Sequence, residues 1–338
     1  MSWHDEIPKV ELHVHLEGAV PLPALFELIE KYGGDPSVPD AAALGERFRF
    51  RSFRQFIDAW EWKNSYLREY EDFSFIAERT ARAMAGQNIL YAEMFFSPSI
   101  FARRGLAVQD LTRAVRAGLS RVPGIDIALV ADLVRDYGPA SERATLAALG
   151  EVRELGVIGV GVGGSEDEFP PAPFAGVFED ARRLGFRTTA HAGEAAGPSG
   201  IRSAVRDLKV ERIGHGTRAG EDPKLADELV RRRIPLEMCP GSNVRTGVVR
   251  RLAEHPVRGY FEAGMVVTVN SDDPSMFETS LAEEYRGLER ECGFSREEIR
   301  GLVLAAVASS WLSEERKASL AAAVLRHPGW NGPAGSEA

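Results

Sequence analysis

The chain has 338 residues, 44% of them hydrophobic, with fifty acidic against forty-one basic side chains and a net charge of −9. That length can bury one large core and fits a single α/β barrel of roughly 250 residues plus insertions, so no second domain is required. The acidic balance argues against nucleic acid or an anionic membrane as partner, because neutralising phosphate dominates binding of that kind.

In chain order, the start MSWHDEIPK carries acids and a proline where a signal peptide needs an apolar stretch, and no run of about 18 apolar residues follows anywhere. The two cysteines, Cys239 and Cys292, make no disulfide framework, so a soluble protein of the reducing cytoplasm is expected. Eight apolar runs rich in β-branched residues then alternate with helical patterns: 9–16 (KVELHVHL), 89–96, 125–133, 157–162, 186–192, 212–216, 234–240 and 265–271. Near-continuous apolar runs mark strands covered on both faces, and stretches such as VFEDARRLG and PKLADELVRRR supply amphipathic helices between them. Eight such units predict an α/β fold, a closed (β/α)8 TIM barrel.

Runs one and two are about seventy residues apart, more than one crossover helix needs, so residues 17–87 are predicted to form a helical lid insertion. Its FRFRSFRQFIDAWEW portion alternates arginine with aromatics. Given the net charge, those rings are expected to pack against a core or pocket and not to read nucleic acid. Beyond run eight, extra helical patterns extend from Ser280 to about His327, and residues 329–338 (GWNGPAGSEA) read as a disordered tail.

The chemistry gathers at the ends of these runs. His13 and His15, two apart on a strand, point to one face and can share one ion, although a histidine pair alone is as often structural. His191, His215 and Asp272 end runs five, six and eight, at the barrel edge where catalytic groups collect. Three imidazoles and a carboxylate suit zinc with one position left for solvent, and the ligand choice is His13, His15, His191 and Asp272. His215, between glycines in IGHGT, suits a base that orients the attacking water, with a fifth ligand or a structural histidine as alternatives. Glu194 follows His191 past Gly193, which can turn the chain and aim this carboxylate at a substrate as proton donor. Asp273, before Pro274, either meets substrate where the pleat ends or caps the next helix. His4, His255 and His327 lie near chain ends or beside prolines and read as surface residues.

Residues Gly159 to Gly164 (GVGVGG) match the GxGxxG dinucleotide pattern formally, but the acidic, proline-broken SEDEFPP follows where a phosphate-binding helix must open. These glycines instead let backbone amides approach a flat ligand. Cys239 in EMCPGSN lacks the second cysteine of the PCxxC zinc deaminases.

The ordered series KVELHVHLEGA, FFSP, TAHAGE, ERIGHGT, EMCPGSN and NSDDP, spanning residues 8 to 326, resembles the motif series of the adenosine deaminase family within the amidohydrolase superfamily. The resemblance implies a (β/α)8 barrel with one zinc on His13, His15, His191 and Asp272. It also implies that Glu194 protonates purine N1, His215 assists attack at C6, Asp273 contacts N7 and Gly164 offers its amide to N3. His15 and Glu17 join the substrate contacts, Glu17 towards the ribose 5′ end. Glu17 in HLEG and the CPGSN motif look more like adenine and aminodeoxyfutalosine deaminases, whereas Gly214 before His215 looks like the nucleoside enzymes. Adenosine or 2′-deoxyadenosine is the favoured small-molecule purine substrate, with adenine or aminodeoxyfutalosine the alternative. A two-metal hydrolase bridged by a modified lysine is a further alternative, but run four holds no lysine; a silent binding barrel would require a lost ligand or acid, and none is missing.

Overall fold

In a computed structural model, residues 2–50 and 53–331 are described. Strands β1 (Lys9–His15), β2 (Ile89–Phe96), β3 (Asp126–Val134), β4 (Val157–Gly163) and β5 (Arg187–Thr188) pair in parallel in that order. A second parallel series follows, β6 (His191–Ala192), β7 (Ile213–His215), β8 (Leu236–Met238) and β9 (Val267–Val269). The two series form one ring. At one seam Thr189 N–H donates to Val160 O at 3.1 Å and Gly214 N–H to Ala190 O at 2.8 Å. At the other, His15 N–H donates to Asp272 O at 2.8 Å and Asp272 N–H to His13 O at 3.1 Å. The (β/α)8 barrel expected from the eight runs is the fold.

Run five divides into β5, paired with β4, and β6, paired with β7. Two residues at this edge have left-handed backbone: His215, the last residue of β7, at φ 60°, and Asp272, beyond β9 and bridged to Val14 of β1, at φ 64°. Non-glycine residues held there store strain, and such strain concentrates at functional sites.

All seven residues of β1 are buried, as a strand covered on both faces requires. The helices follow the 3.6-residue period. Val108–Leu119 buries Val108, Leu111, Val115 and Leu119 on one stripe, while Asp110 and Arg113 pair in solvent. Truncating Leu111 to alanine would cost about 2–5 kcal/mol by transfer and cavity terms. Pro223–Arg232 starts on Asp222, whose carboxylate accepts from Lys224 N–H at 3.0 Å and Leu225 N–H at 3.2 Å. The C-terminal helices are Leu281–Cys292, Arg296–Ser309 and Glu314–Arg326, the second lying against β9 and β1.

Between β1 and β2 the chain forms helices α1 (Leu22–Lys31), α2 (Ala41–Arg47), α3 (Phe53–Asn64) and α4 (Tyr70–Gly86). The described aromatic Phe56 of α3 stacks on Phe277 with centroids 5.0 Å apart and lines the central cavity. The expected tail needs correction at its start. Residues 329–331 sit in a 3-10 turn with Trp330 buried, its Nε1–H donating to Val324 O at 2.7 Å, so the indole holds a glycine- and proline-rich segment in place. Residues 332–338 lie outside the described part of the chain.

Candidate active site

His13 and His15 project from β1 into the barrel mouth as their spacing requires. His15 Nε2 lies 3.2 Å from His191 Nε2 and 3.4 Å from Asp272 Oδ1, and His13 Nε2 lies 3.6 Å from that same oxygen. Neutral imidazole nitrogens and a carboxylate oxygen facing one another at these distances leave lone pairs converging on a common point, which favours a cation between them. His13 Nε2 has no hydrogen-bond partner although it is fully buried. Burial works against a charge on His13, but the facing carboxylates of Asp272 and Glu237 outweigh it and push its pKa up to about 10. The site thus stabilises positive charge.

That electrostatic bias has a support that sequence reasoning missed. His13 Nδ1 meets Glu237 Oε2 on β8 at 3.0 Å, and the other Glu237 oxygen accepts from Arg212 Nε. Arg212 also pairs with Glu93 of β2 at 2.6 Å and stacks 3.6 Å over the Trp311 ring. A carboxylate behind a histidine fixes its tautomer and aims the opposite nitrogen at the site. The available signal was a charge inside each of three apolar runs, at Glu93, Arg212 and Glu237.

Asp272 Oδ2 accepts from Ser242 Oγ at 2.6 Å, which orients the carboxylate. The next residue, Asp273, is buried, and its side chain caps no helix, which removes the capping alternative. Burial and the Asp272 charge push its pKa well above the carboxylate range, against the opposing pull of Lys63. Glu194 Oε2 lies 3.5 Å from His215 Nε2, which itself is 4.0 Å from Asp272 Oδ2. Burial, then repulsion from Asp272 and Glu166, raises the Glu194 pKa well above its usual value, which favours the protonated carboxyl.

Glu166, one of three acids after β4, is the anchor of the Glu194 loop. Its carboxylate accepts from the backbone N–H groups of Gly193, Glu194, Ala195 and Ala196, the last three at 3.0, 2.9 and 3.1 Å. Gly193 turns the chain there at φ 77°. Gly164 borders the cavity at φ 102°, where a Cβ would meet Asp136 Oδ2 at 2.2 Å. Arg135, also unforeseen, is buried and donates to His191 O at 2.7 Å and to Val162 and Gly163 carbonyls, tying β4 to β6.

Two placements depart from expectation. Glu17 does not border the cavity: its Oε1 accepts from Ser97 N–H at 2.9 Å, and its carbonyl accepts from Lys63 Nζ at 2.6 Å, so it braces the ends of β1 and β2. His4 and His255 are not surface residues. His4 is 3% and His255 4% exposed, because tertiary contacts invisible in the local sequence cover both, whereas His327 is half-buried.

The cavity above this cluster holds about 730 Å³ and runs from Asp273 and Glu194 past Gly164 to Trp60, Arg104 and Tyr137.

Comparison with known proteins agrees with the motif reading. A family profile described as adenosine deaminase matches residues 8–327. An aminodeoxyfutalosine deaminase of Streptomyces avermitilis is 38% identical over 324 residues, covering 94% of this chain and 90% of that protein. The crystal structure of an adenine deaminase from Arthrobacter aurescens superposes with a TM-score of 0.90 at 31% identity, covering 94% of this chain and 98% of that one. A Burkholderia ambifaria amidohydrolase crystallised with bound zinc gives 0.88 at 27% identity, with 97% and 92% covered.

Proposed function

This chain belongs to the adenosine deaminase family and is a hydrolase acting on carbon–nitrogen bonds, and from that premise we propose that it deaminates, with one zinc per chain, a 6-aminopurine carrying a substituent at N9. The observation that carries this reading is the approach of His15 to His191 at 3.2 Å and to Asp272 at 3.4 Å, with the buried carboxyl of Glu194 3.5 Å from His215 in the same cavity. In it, His13, His15, His191 and Asp272 hold the metal, and the unpartnered Nε2 of His13 fits that assignment. A zinc ion lowers the pKa of a bound water from about 15.7 towards 7 and so supplies a nucleophile at neutral pH.

The chain's own groups handle the purine. Glu194 gives its proton to N1, which makes C6 electrophilic, and general acid catalysis of this kind contributes about 10²- to 10⁴-fold. Asp273, whose carboxyl is biased towards its protonated form by burial and the Asp272 charge, donates a hydrogen bond to the N7 lone pair. Gly164 presents its backbone amide to N3, with no side chain to keep the ring away. His215 stands beside the oxygen that adds to C6. The hydroxyl proton of the C6 adduct then passes to the amino group, the C6–N bond breaks, ammonia departs and the 6-oxopurine remains.

For the substituent, adenosine and deoxyadenosine give way to the alternative reading, because the relatives carry the names of aminodeoxyfutalosine and adenine deaminases. A cavity of about 730 Å³ is in the range of drug-sized ligands and far exceeds a bare purine, which favours aminodeoxyfutalosine over adenine. The purified protein, assayed with aminodeoxyfutalosine, adenosine, deoxyadenosine, adenine and N6-methyl-AMP by the ultraviolet change from amino- to oxopurine, should show its highest kcat/KM on the first. Highest kcat/KM on adenine would reverse the size argument, and turnover of none would remove the reading.

A further inference from the structure

The histidine expected on the surface connects to the reaction. Val257 N–H donates to His255 Nδ1 at 3.2 Å. A backbone amide is a donor without ambiguity, so His255 Nδ1 bears no proton and the neutral ring carries its hydrogen on Nε2. Burial, which lowers the His255 pKa to about 3, keeps that ring neutral. His255 Nε2 lies 3.1 Å from Asn243 Oδ1, which must therefore accept, and Thr217 Oγ1 donates to the same oxygen at 2.7 Å. With its oxygen so oriented, Asn243 turns its Nδ2 donor to His215 Nδ1 at 3.3 Å. An Nδ1 that accepts is unprotonated, so His215 holds its hydrogen on Nε2, the nitrogen facing Glu194.

We infer that His255 is a positioning residue which, through Asn243, holds His215 as a hydrogen-bond donor towards the oxygen that adds to C6, and not as the base that removes that oxygen's proton. No proton passes to or from His215 in this role; the Nε2–H orients the oxygen's lone pair and stabilises the charge left on that oxygen when its proton moves to the departing amine. The inference rests on the proposed place of His215 beside the reacting oxygen, but the chain of donors is tested independently of any substrate.

The test is ¹⁵N–¹H correlation spectroscopy of zinc-loaded protein with ¹⁵N-labelled histidine, His215 being assigned by its loss in His215→Gln. The wild type should show protonated Nε2 and unprotonated Nδ1 at His215; the opposite tautomer, or a cation, overturns the inference. Asn243→Asp replaces the donor with a carboxylate, so the His215 tautomer should reverse and kcat fall about 10²- to 10³-fold, the cost of one donor to developing charge, with KM changed far less. An unreversed tautomer there also overturns it. His255→Leu should scramble the tautomer and lower kcat, and His255→Gln, whose amide still donates to Asn243, should restore most of it; equal kcat in both variants counts against the relay. Absence of aminopurine turnover with the expected tautomers would instead defeat the deaminase reading alone.

Discussion

His15 and Asp272 are joined twice, once by backbone, His15 N–H to Asp272 O at 2.8 Å, and once by side chain, His15 Nε2 to Asp272 Oδ1 at 3.4 Å. The bond that closes the barrel between its first and last strands is thus also the bond that sets two metal-ligand atoms side by side, and ring closure and ligand geometry share one register. A slip of one residue would turn β1 over and remove both histidines from the mouth.

Because the closing bonds are made by backbone, Asp272→Asn should fold with little change in Tm while losing the anionic ligand. Zinc affinity is expected to fall at least about 10-fold, read by competition with a chromogenic chelator. Unfolding of the variant would mean that the charge, and not the ladder, closes the ring.

Glu194→Gln keeps size and hydrogen-bonding capacity but has no proton to give to N1. We expect full zinc content and a loss of about 10²- to 10⁴-fold in kcat. Near-normal turnover in steady-state assays would defeat its assignment as the acid.

These groups were legible because the barrel folds by local rules: apolar runs give strands, and polar residues at their ends give the mouth. What failed to show was determined by tertiary contact. His255 sits before a proline in a polar stretch and reads as loop surface, yet the fold seals it against Asn243. Glu166 is one acid in SEDE, and only the folded loop shows that it, and not Asp167 or Glu168, collects the amides after Gly193. Trp330 was hidden by the glycine and proline around it. Charges within apolar runs were visible throughout, and Arg212 and Glu237 show that such interruptions identify supporting groups behind a ligand.

Removing that support should act on metal before it acts on chemistry. In Glu237→Gln the His13 imidazole loses its anionic partner, and zinc affinity should drop about 10- to 100-fold. The variant also leaves Arg212 with Glu93 as its remaining carboxylate partner, so a lower Tm is expected from an undercompensated buried charge. Unchanged zinc affinity by chelator competition would show that Glu237 serves the fold alone.

Stability should carry a pH signature away from the metal. Glu142, in the helix Gly138–Gly150, has its pKa pushed up from 4.5 to about 7 by burial. The folded protein therefore keeps a proton that the unfolded chain releases between those values, so stability falls as pH rises through that window and levels off above about 7. Glu142→Gln cannot ionise, and its stability relative to wild type should improve across the window by up to about 3 kcal/mol in denaturant unfolding. A gap that does not vary with pH would place the Glu142 pKa near its unfolded value.

Glu166→Gln tests how the proton donor is held. The carboxylate gathers four successive amides and adds a negative charge near Glu194, so it acts in two separable ways. Losing the gathering should loosen residues 193–196, seen as faster amide hydrogen exchange there, and misplace the acid with a fall in kcat. Losing the charge removes one of the repulsions that raise the Glu194 pKa, so Glu194 should ionise at lower pH. The alkaline limb of kcat/KM reports ionisation of that acid in the free enzyme and should move to lower pH in the variant. Zinc content should stay whole, because Glu166 touches no proposed ligand side chain. If exchange quickens but the alkaline limb stays still, Glu166 only anchors the loop; if neither changes, the four amides hold the acid without it.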